Sequence, residues 1–142
     1  MKTLLLLAML LCCSFLASAQ DRQLDESRKL NLNEPQLLEY PDLGIAAGIA
    51  QSPSGLPVMM HELIPVQSRI GIYGKYLAGN GVRSVILQNQ GREFVLEAEA
   101  WPAGFFKLEM LTFRLPVDVH GEVWVRTLGR LDQSNAVRFY VE

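Results

Sequence analysis

Histidine and serine often carry acid–base or nucleophilic chemistry, and this chain holds few of them in a suitable setting. The two histidines, His61 and His120, lie far apart, with no His-x-x-x-His spacing and no cysteine nearby. Zinc sites need such groups at short spacings. Ser84 lies in an apolar run and lacks the Gly-x-Ser-x-Gly turn of a serine nucleophile. No glycine-rich phosphate loop is present either. We therefore expect no catalytic residue, metal or cofactor here, with His120 a polar turn residue.

Three glutamates form the one pattern that a hydrolase could use. Side chains two residues apart on a strand share a face at roughly 6.5–7 Å, which fits Glu97 and Glu99. Two carboxyl groups at a defined gap are what glycoside hydrolysis requires. A solvated strand face explains Glu93, Glu97 and Glu99 equally well and is far more common. A small hydrolase, using these carboxylates or His120, stays an alternative to a protein that is not an enzyme.

Aromatic and arginine side chains near the end of the chain form the pattern most typical of a binding site. Trp124 and Arg126 alternate with valines, as do Arg138 and Tyr140 on a second segment. Pairing Trp124 with Arg138 avoids opposing Arg126 to Arg138, and opposed like charges are destabilising. Trp, Tyr and Arg are enriched at interface hot spots. These four residues are predicted to bind a protein or glycan, unless residues 36–50 cover Trp124.

A second aromatic cluster follows the glutamates. Trp101 is succeeded by Pro102, Gly104, Phe105 and Phe106, which places the cluster at a predicted loop. Such a loop could insert into a ligand or a membrane surface. The burial of large apolar side chains is favourable by roughly 1.5–3 kcal/mol each, so we expect the cluster to plug an open end of the fold instead.

The elements that must position these residues are short strands. From Val58 onward, apolar residues recur with period two between turn residues. This predicts an antiparallel β-sandwich of about seven strands, near residues 58–64, 69–77, 82–88, 92–100, 106–115, 121–128 and 135–141. Asn80-Gly81 and Asn89-Gln90-Gly91 are the clearest turn signals, and the second predicts a hairpin.

The order of these strands resembles an immunoglobulin-like sandwich of the IPT/TIG type. The resemblance rests on four stretches: Ile70-Gly71-Ile72-Tyr73-Gly74-Lys75-Tyr76-Leu77, Phe113-Arg114-Leu115-Pro116, Gly121-Glu122-Val123-Trp124-Val125-Arg126 and Ala136-Val137-Arg138-Phe139-Tyr140-Val141. Domains of this type usually act as adhesive, spacing or ligand-contact modules. The resemblance therefore implies binding rather than catalysis.

The N-terminus has the layout of a secretory signal peptide over residues 1–19. Lys2 precedes an apolar run, and Ala17-Ser18-Ala19 supplies the small-x-small cleavage site. The run is shorter than the roughly 20 residues of a membrane span, so no transmembrane segment is expected in the mature chain. Both cysteines, Cys12 and Cys13, would be removed. We expect a cysteine-free periplasmic or secreted protein; a lipid anchor through Cys12 or Cys13 is the alternative.

Residues 20–57 are predicted to be a mostly irregular leader or tether, because prolines punctuate them and only Leu43–Ala50 is apolar. The sandwich domain is expected over 58–142, where acidic and basic side chains balance. Without a basic stripe, nucleic acid is excluded as a partner. The expected function is an exported binding or scaffolding module for an envelope or cell-surface partner. An assembly subunit pairing through an edge strand near 135–141 is the alternative.

Overall fold

The computed structural model describes residues 34–142, which form thirteen strands and one short 3₁₀ helix, Ala78–Asn80. The strands are β1 Gln36–Leu37, β2 Glu39–Tyr40, β3 Ile45–Ala46, β4 Gly48–Gln51, β5 Pro57–Met59, β6 Leu63–Ile64, β7 Arg69–Lys75, β8 Ser84–Asn89, β9 Arg92–Glu97, β10 Glu99–Pro102, β11 Glu109–Arg114, β12 Gly121–Leu128 and β13 Val137–Val141. Within this range the chain is all-β, and no helix in it is both long and apolar enough to cross a membrane.

Two sheets contain all of these strands. The β7 sheet has the order β10-β11-β7-β4-β5, with β1 also paired to β7. The β12 sheet has the order β2-β3-β13-β12-β8-β9, with β6 alongside β13. Pairing is antiparallel except where β13 meets β3 and β6. The predicted β-sandwich is confirmed at this level.

The core lies between the two sheets and follows the period of two along each strand. On β13, Val137, Phe139 and Val141 are buried, and on β7 Ile70 and Ile72 are buried. All five belong to one hydrophobic cluster that draws on both sheets. The alternate residues of each strand face outward, so each sheet presents an outer face to solvent.

The strands β7, β8, β11, β12 and β13 lie where the sequence predicts them, with ends shifted by a few residues. The predicted hairpin at Asn89-Gln90-Gly91 is also present. Its two loop residues, Gln90 and Gly91, have φ of 50° and 75°. Left-handed conformations at both positions belong to the turn that matches strand twist in a two-residue hairpin.

Two predicted strands are each divided in two. The segment 58–64 becomes β5 and β6, since a turn is closed by the bond from the Glu62 amide to the Met59 carbonyl, 2.9 Å. The segment 92–100 becomes β9 and β10, which belong to different sheets. The chain changes sheets at the buried Ala98, whose amide donates to the Arg83 carbonyl at 3.0 Å. Alternation continues through this point, so the sequence pattern does not show the change.

The predicted leader is corrected for residues 34–57, which contribute strands to both sheets. β4 pairs with β7, and β3 pairs with β13. Leu37, Ala46 and Ala50 from these strands are buried in the core. The sandwich therefore begins near residue 34, well before Val58. The strands were missed because two to four residues are too few to show a period. The predicted signal peptide, both cysteines and residues 20–33 lie outside the described range.

Candidate functional site

The four predicted binding residues lie together on the outer face of the β12 sheet. β12 pairs with β13 so that Trp124 opposes Arg138 and Glu122 opposes Tyr140. This is the predicted register, and it keeps the two arginines off directly opposed positions. Gln88 of β8 lies on the other side of Trp124. We call Trp124, Arg126, Arg138 and Tyr140, together with Glu122, the Trp124 face.

Trp124 is held in place by two of its neighbours. Its indole Nε1–H donates to Glu122 Oε1 at 2.7 Å. The guanidinium carbon of Arg138 lies 5.9 Å from the centre of the indole ring, within cation–π range. The side chain nevertheless remains 37% exposed. Residues 36–50 thus do not cover it, and it is both accessible and oriented.

The two arginines of this face use only part of their hydrogen-bonding capacity. One guanidinium nitrogen of Arg126 lies 3.8 Å from Glu93 Oε2, and one of Arg138 donates to the Leu43 carbonyl at 3.3 Å. Within residues 34–142, the Nε of each arginine is buried without a hydrogen-bond partner. An arginine has five N–H donors, so most of the donors on this face have no partner among residues 34–142.

The margin of the Trp124 face is apolar on the side toward β3 and β6. Tyr140 is half-buried and its position on β13 adjoins Leu63 of β6, while Leu43 lies beside Arg138. Both leucines are exposed. The face is therefore a planar strip of aromatic and cationic groups bordered by leucines, rather than a pocket.

The second aromatic cluster does not plug the end of the sandwich, so that prediction was wrong. Trp101 is 52% exposed and Phe106 is 89% exposed. Both belong to the hairpin of β10 and β11, where β10 is the outermost strand of its sheet. Phe105 also lies outside the core. Its ring packs edge-on against the ring of Tyr73 on the outer face, with the ring centres 5.8 Å apart. Pro102 and Gly104 carry part of the relevant signal, because they end β10 and place Phe105 and Phe106 beyond the strand.

A cleft of about 920 Å³ lies beside Trp101, where the chain passes from β9 to β10. Its charged lining comprises Arg83, Glu97, Glu99 and Arg130. Glu97 and Glu99 are the carboxylates that the sequence marks as a pair. Arg83 and Arg130 were not predicted, since they are distant in sequence and belong to no motif.

The remaining candidates for chemistry are not brought together. His120 Nδ1 contacts the Glu142 backbone carbonyl at 2.6 Å, and His61 packs edge-on against Tyr40. Ser84 opposes Glu97 across the β8–β9 pair. Within residues 34–142, no group of three or more His, Cys, Asp or Glu side chains could hold a metal ion. The geometry provides no nucleophile, base and orienting group at one place.

The predicted pairing edge near 135–141 was also wrong. β13 lies between β12 on one side and β3 and β6 on the other, so its backbone is paired along both margins. Of the two short strands that close this edge, β3 was not predicted from the sequence, and β6 is part of the predicted strand 58–64. Along its main path the β12 sheet instead ends at β2 on one side and at β9 on the other.

No protein-family model, curated protein or solved structure matches this chain.

Proposed function

We propose that this protein is an exported, non-enzymatic binding module with an immunoglobulin-like sandwich, and that it contacts a protein partner through the Trp124 face. The observation that carries the proposal is Trp124 itself, which is exposed yet held by Glu122 at 2.7 Å and by Arg138 at 5.9 Å. Export rests on the signal-peptide layout of residues 1–19.

An oriented tryptophan suits binding because association costs the freedom of the side chains it immobilises, at about 0.5–1.5 kcal/mol for a rotamer-rich one. Trp124 has largely met this cost before a partner arrives. Exposed aromatic and arginine side chains at the centre of a patch are also the usual carriers of interface energy. Leu43 and Leu63 at the margin supply apolar area that a partner would remove from water.

A protein is the partner class that best fits the shape of this face. The four predicted residues lie on two adjacent strands, Gly121–Leu128 and Val137–Val141, in one pleated surface. A planar surface offers a small ligand few simultaneous contacts, whereas a folded partner can cover the whole strip. Small-molecule sites are generally concave.

The test is affinity capture from the native envelope or extracellular fraction, with the wild-type chain and two single variants. Trp124→Ala removes the centre of the face, and Trp101→Ala is the matched control, an exposed tryptophan on the other sheet. We expect a partner that wild type and Trp101→Ala retain and Trp124→Ala loses. Equal capture by both variants would contradict the proposal, as would unfolding of Trp124→Ala, which would make Trp124 a core residue.

A further inference from the structure

The cleft beside Trp101 lies where the chain passes from one sheet to the other. β9 ends at Glu97, Ala98 is buried, and β10 begins at Glu99. Facing this junction are the turn after the 3₁₀ helix, which includes Gly81, and the side chain of Arg130. The volume of about 920 Å³ is within the range of ligand sites, roughly 300–1,000 Å³.

The charges that line the cleft have no partners in the described part of the chain. The ion pairs formed by residues 34–142 are Arg92 with Asp118 and Arg126 with Glu93. Neither involves the two arginines or the two glutamates of the cleft, which are all exposed. Two arginines and two glutamates therefore line one concavity without an ion pair among them.

Arg130 is directed along the wall of the cleft by the absence of a side chain at Gly81. A Cβ atom there would lie 3.0 Å from both Cγ and Nε of Arg130. Gly81 also has φ of +67°, a conformation that favours glycine. The backbone amide of Arg130 donates to the Asn80 carbonyl at 3.0 Å, which fixes the base of the side chain.

Trp101 adds an aromatic wall at the mouth of the cleft. Its position on β10 pairs with Met110 of β11, and no strand of the described chain lies beyond β10. The indole is thus free to pack against a bound molecule. Aromatic rings offer a large, rigid apolar face with little conformational entropy to lose.

The combined lining selects a ligand that is neutral, hydroxylated and partly apolar. A strong anion would be repelled by Glu97 and Glu99, and a cation by Arg83 and Arg130. Hydroxyl groups both donate and accept hydrogen bonds, so they can satisfy carboxylates and guanidinium groups together. A pyranose ring also presents a C–H face that can pack on an indole. We propose that this cleft binds a saccharide of a few rings, stacked on Trp101.

This site is separate from the proposed protein-binding face, since it lies on another edge and uses the other tryptophan. The test uses the full-length chain with Trp124→Phe, which leaves Trp101 as the single tryptophan. Its emission is followed while a neutral oligosaccharide is added: cellohexaose, N-acetylated chitohexaose or maltohexaose. We expect a saturable change with at least one probe, with a Kd of about 0.1–1 mM.

Two further variants in the same background locate the binding. Arg83→Ala and Glu99→Gln should each weaken affinity for that probe about tenfold, with the melting temperature unchanged. Gln133→Ala, an exposed residue outside the cleft lining, is the control and should leave affinity unaltered. The proposal is overturned if no probe changes the emission at about 10 mM, or if both cleft variants bind as the parent does. Either failure leaves capture by the Trp124 face untouched.

Discussion

The two tryptophans of this chain, Trp124 and Trp101, both point outward from strands, yet their surroundings differ. Trp124 lies on an interior strand, and its indole N–H and ring face are engaged by Glu122 and Arg138. Trp101 lies on an outermost strand beside arginines and glutamates that do not pair. Its own strand and β13 supply partners to the first tryptophan, whereas the junction of β9 and β10 leaves the surface beside the second one open. The same residue type therefore serves a preorganised planar face in one place and an open cleft in the other.

The largest predicted effect is a loss of stability that substitutions in the core cause and substitutions of the two surface tryptophans do not. Phe139 is fully buried on β13, directly behind the Trp124 face. Phe139→Ala should lower the free energy of unfolding by about 3–5 kcal/mol, because it leaves a cavity. Trp124→Ala and Trp101→Ala should each cost about 1 kcal/mol or less, since they remove partly exposed side chains. Urea denaturation measures all three. If Trp124→Ala lowers the free energy of unfolding as much as Phe139→Ala does, Trp124 is a core residue rather than a surface residue.

A smaller effect tests how the cleft is built. Gly81→Ala places a side chain at a left-handed position, which costs roughly 1–2 kcal/mol of stability, and also pushes on Arg130. Gly55→Ala is the matched control, with φ of +88° and nothing within 4 Å of the new Cβ. We expect thermal denaturation to show similar destabilisation for both, and saccharide titration to show weaker binding for Gly81→Ala alone. Equal affinities would show that Arg130 does not depend on this glycine.

The next prediction concerns the preorganisation of Trp124. Glu122→Gln keeps the shape but weakens the bond from the indole, and Arg138→Ala removes the cation over the ring. Each should reduce partner affinity by about 1 kcal/mol, roughly fivefold, without touching the tryptophan. Biolayer interferometry with the captured partner measures this. Glu97→Gln, a carboxylate of the cleft, is the control that should bind as wild type does. Unchanged affinity in both test variants would show that the contacts of Trp124 with Glu122 and Arg138 do not contribute to partner binding.

The smallest predicted effect is a change in the pKa of Asp118, the partner of Arg92. Arg92 lies on β9, the strand that also carries Glu97, an unpaired carboxylate of the cleft. Arg92, at the start of β9, bonds to Asp118 at 2.7 Å and holds the pKa of that carboxyl below its ordinary value. A lowered pKa means that this contribution to stability is present above the ordinary pKa and is lost as pH falls through the lowered one. Arg92→Ala should raise the Asp118 pKa in an NMR titration, and Arg126→Ala should not. An unmoved Asp118 would contradict the assignment.

The longer strands could be predicted because apolar and polar residues alternate along each of them. Val123 and Val125, like Val137 and Phe139, show which side of their strands is buried. The register of this pair also followed from the sequence, since the alternative opposed like charges. The strands of residues 36–51 could not be found in this way. Their place depends on tertiary pairing with β7 and β13 rather than on a pattern of their own.

Of the two candidate sites, the Trp124 face could be predicted from local sequence and the cleft could not. The four residues of the predicted patch are close in sequence within each strand, so local pattern was enough to group them. The cleft joins Arg83 and Arg130, which lie in different loops, to Glu97 and Glu99. Arg83 adjoins Ala98 through the β8–β9 pair, whereas Arg130 is brought to the cleft by its contacts with Asn80 and Gly81. The change of sheet at Ala98 leaves no mark on the alternation. Trp101 continues the outward positions of Glu97 and Glu99, whereas hydrophobicity alone predicted a plug.

The central claim, that the two tryptophans serve separate surfaces, is tested most directly with two single-tryptophan chains. Trp101→Phe retains Trp124, and Trp124→Phe retains Trp101. Acrylamide quenching of each is measured with and without the protein partner captured by the wild-type chain. The account predicts that the partner shields Trp124 and leaves the quenching of Trp101 unchanged. Shielding of Trp101 with Trp124 still fully quenched would contradict it.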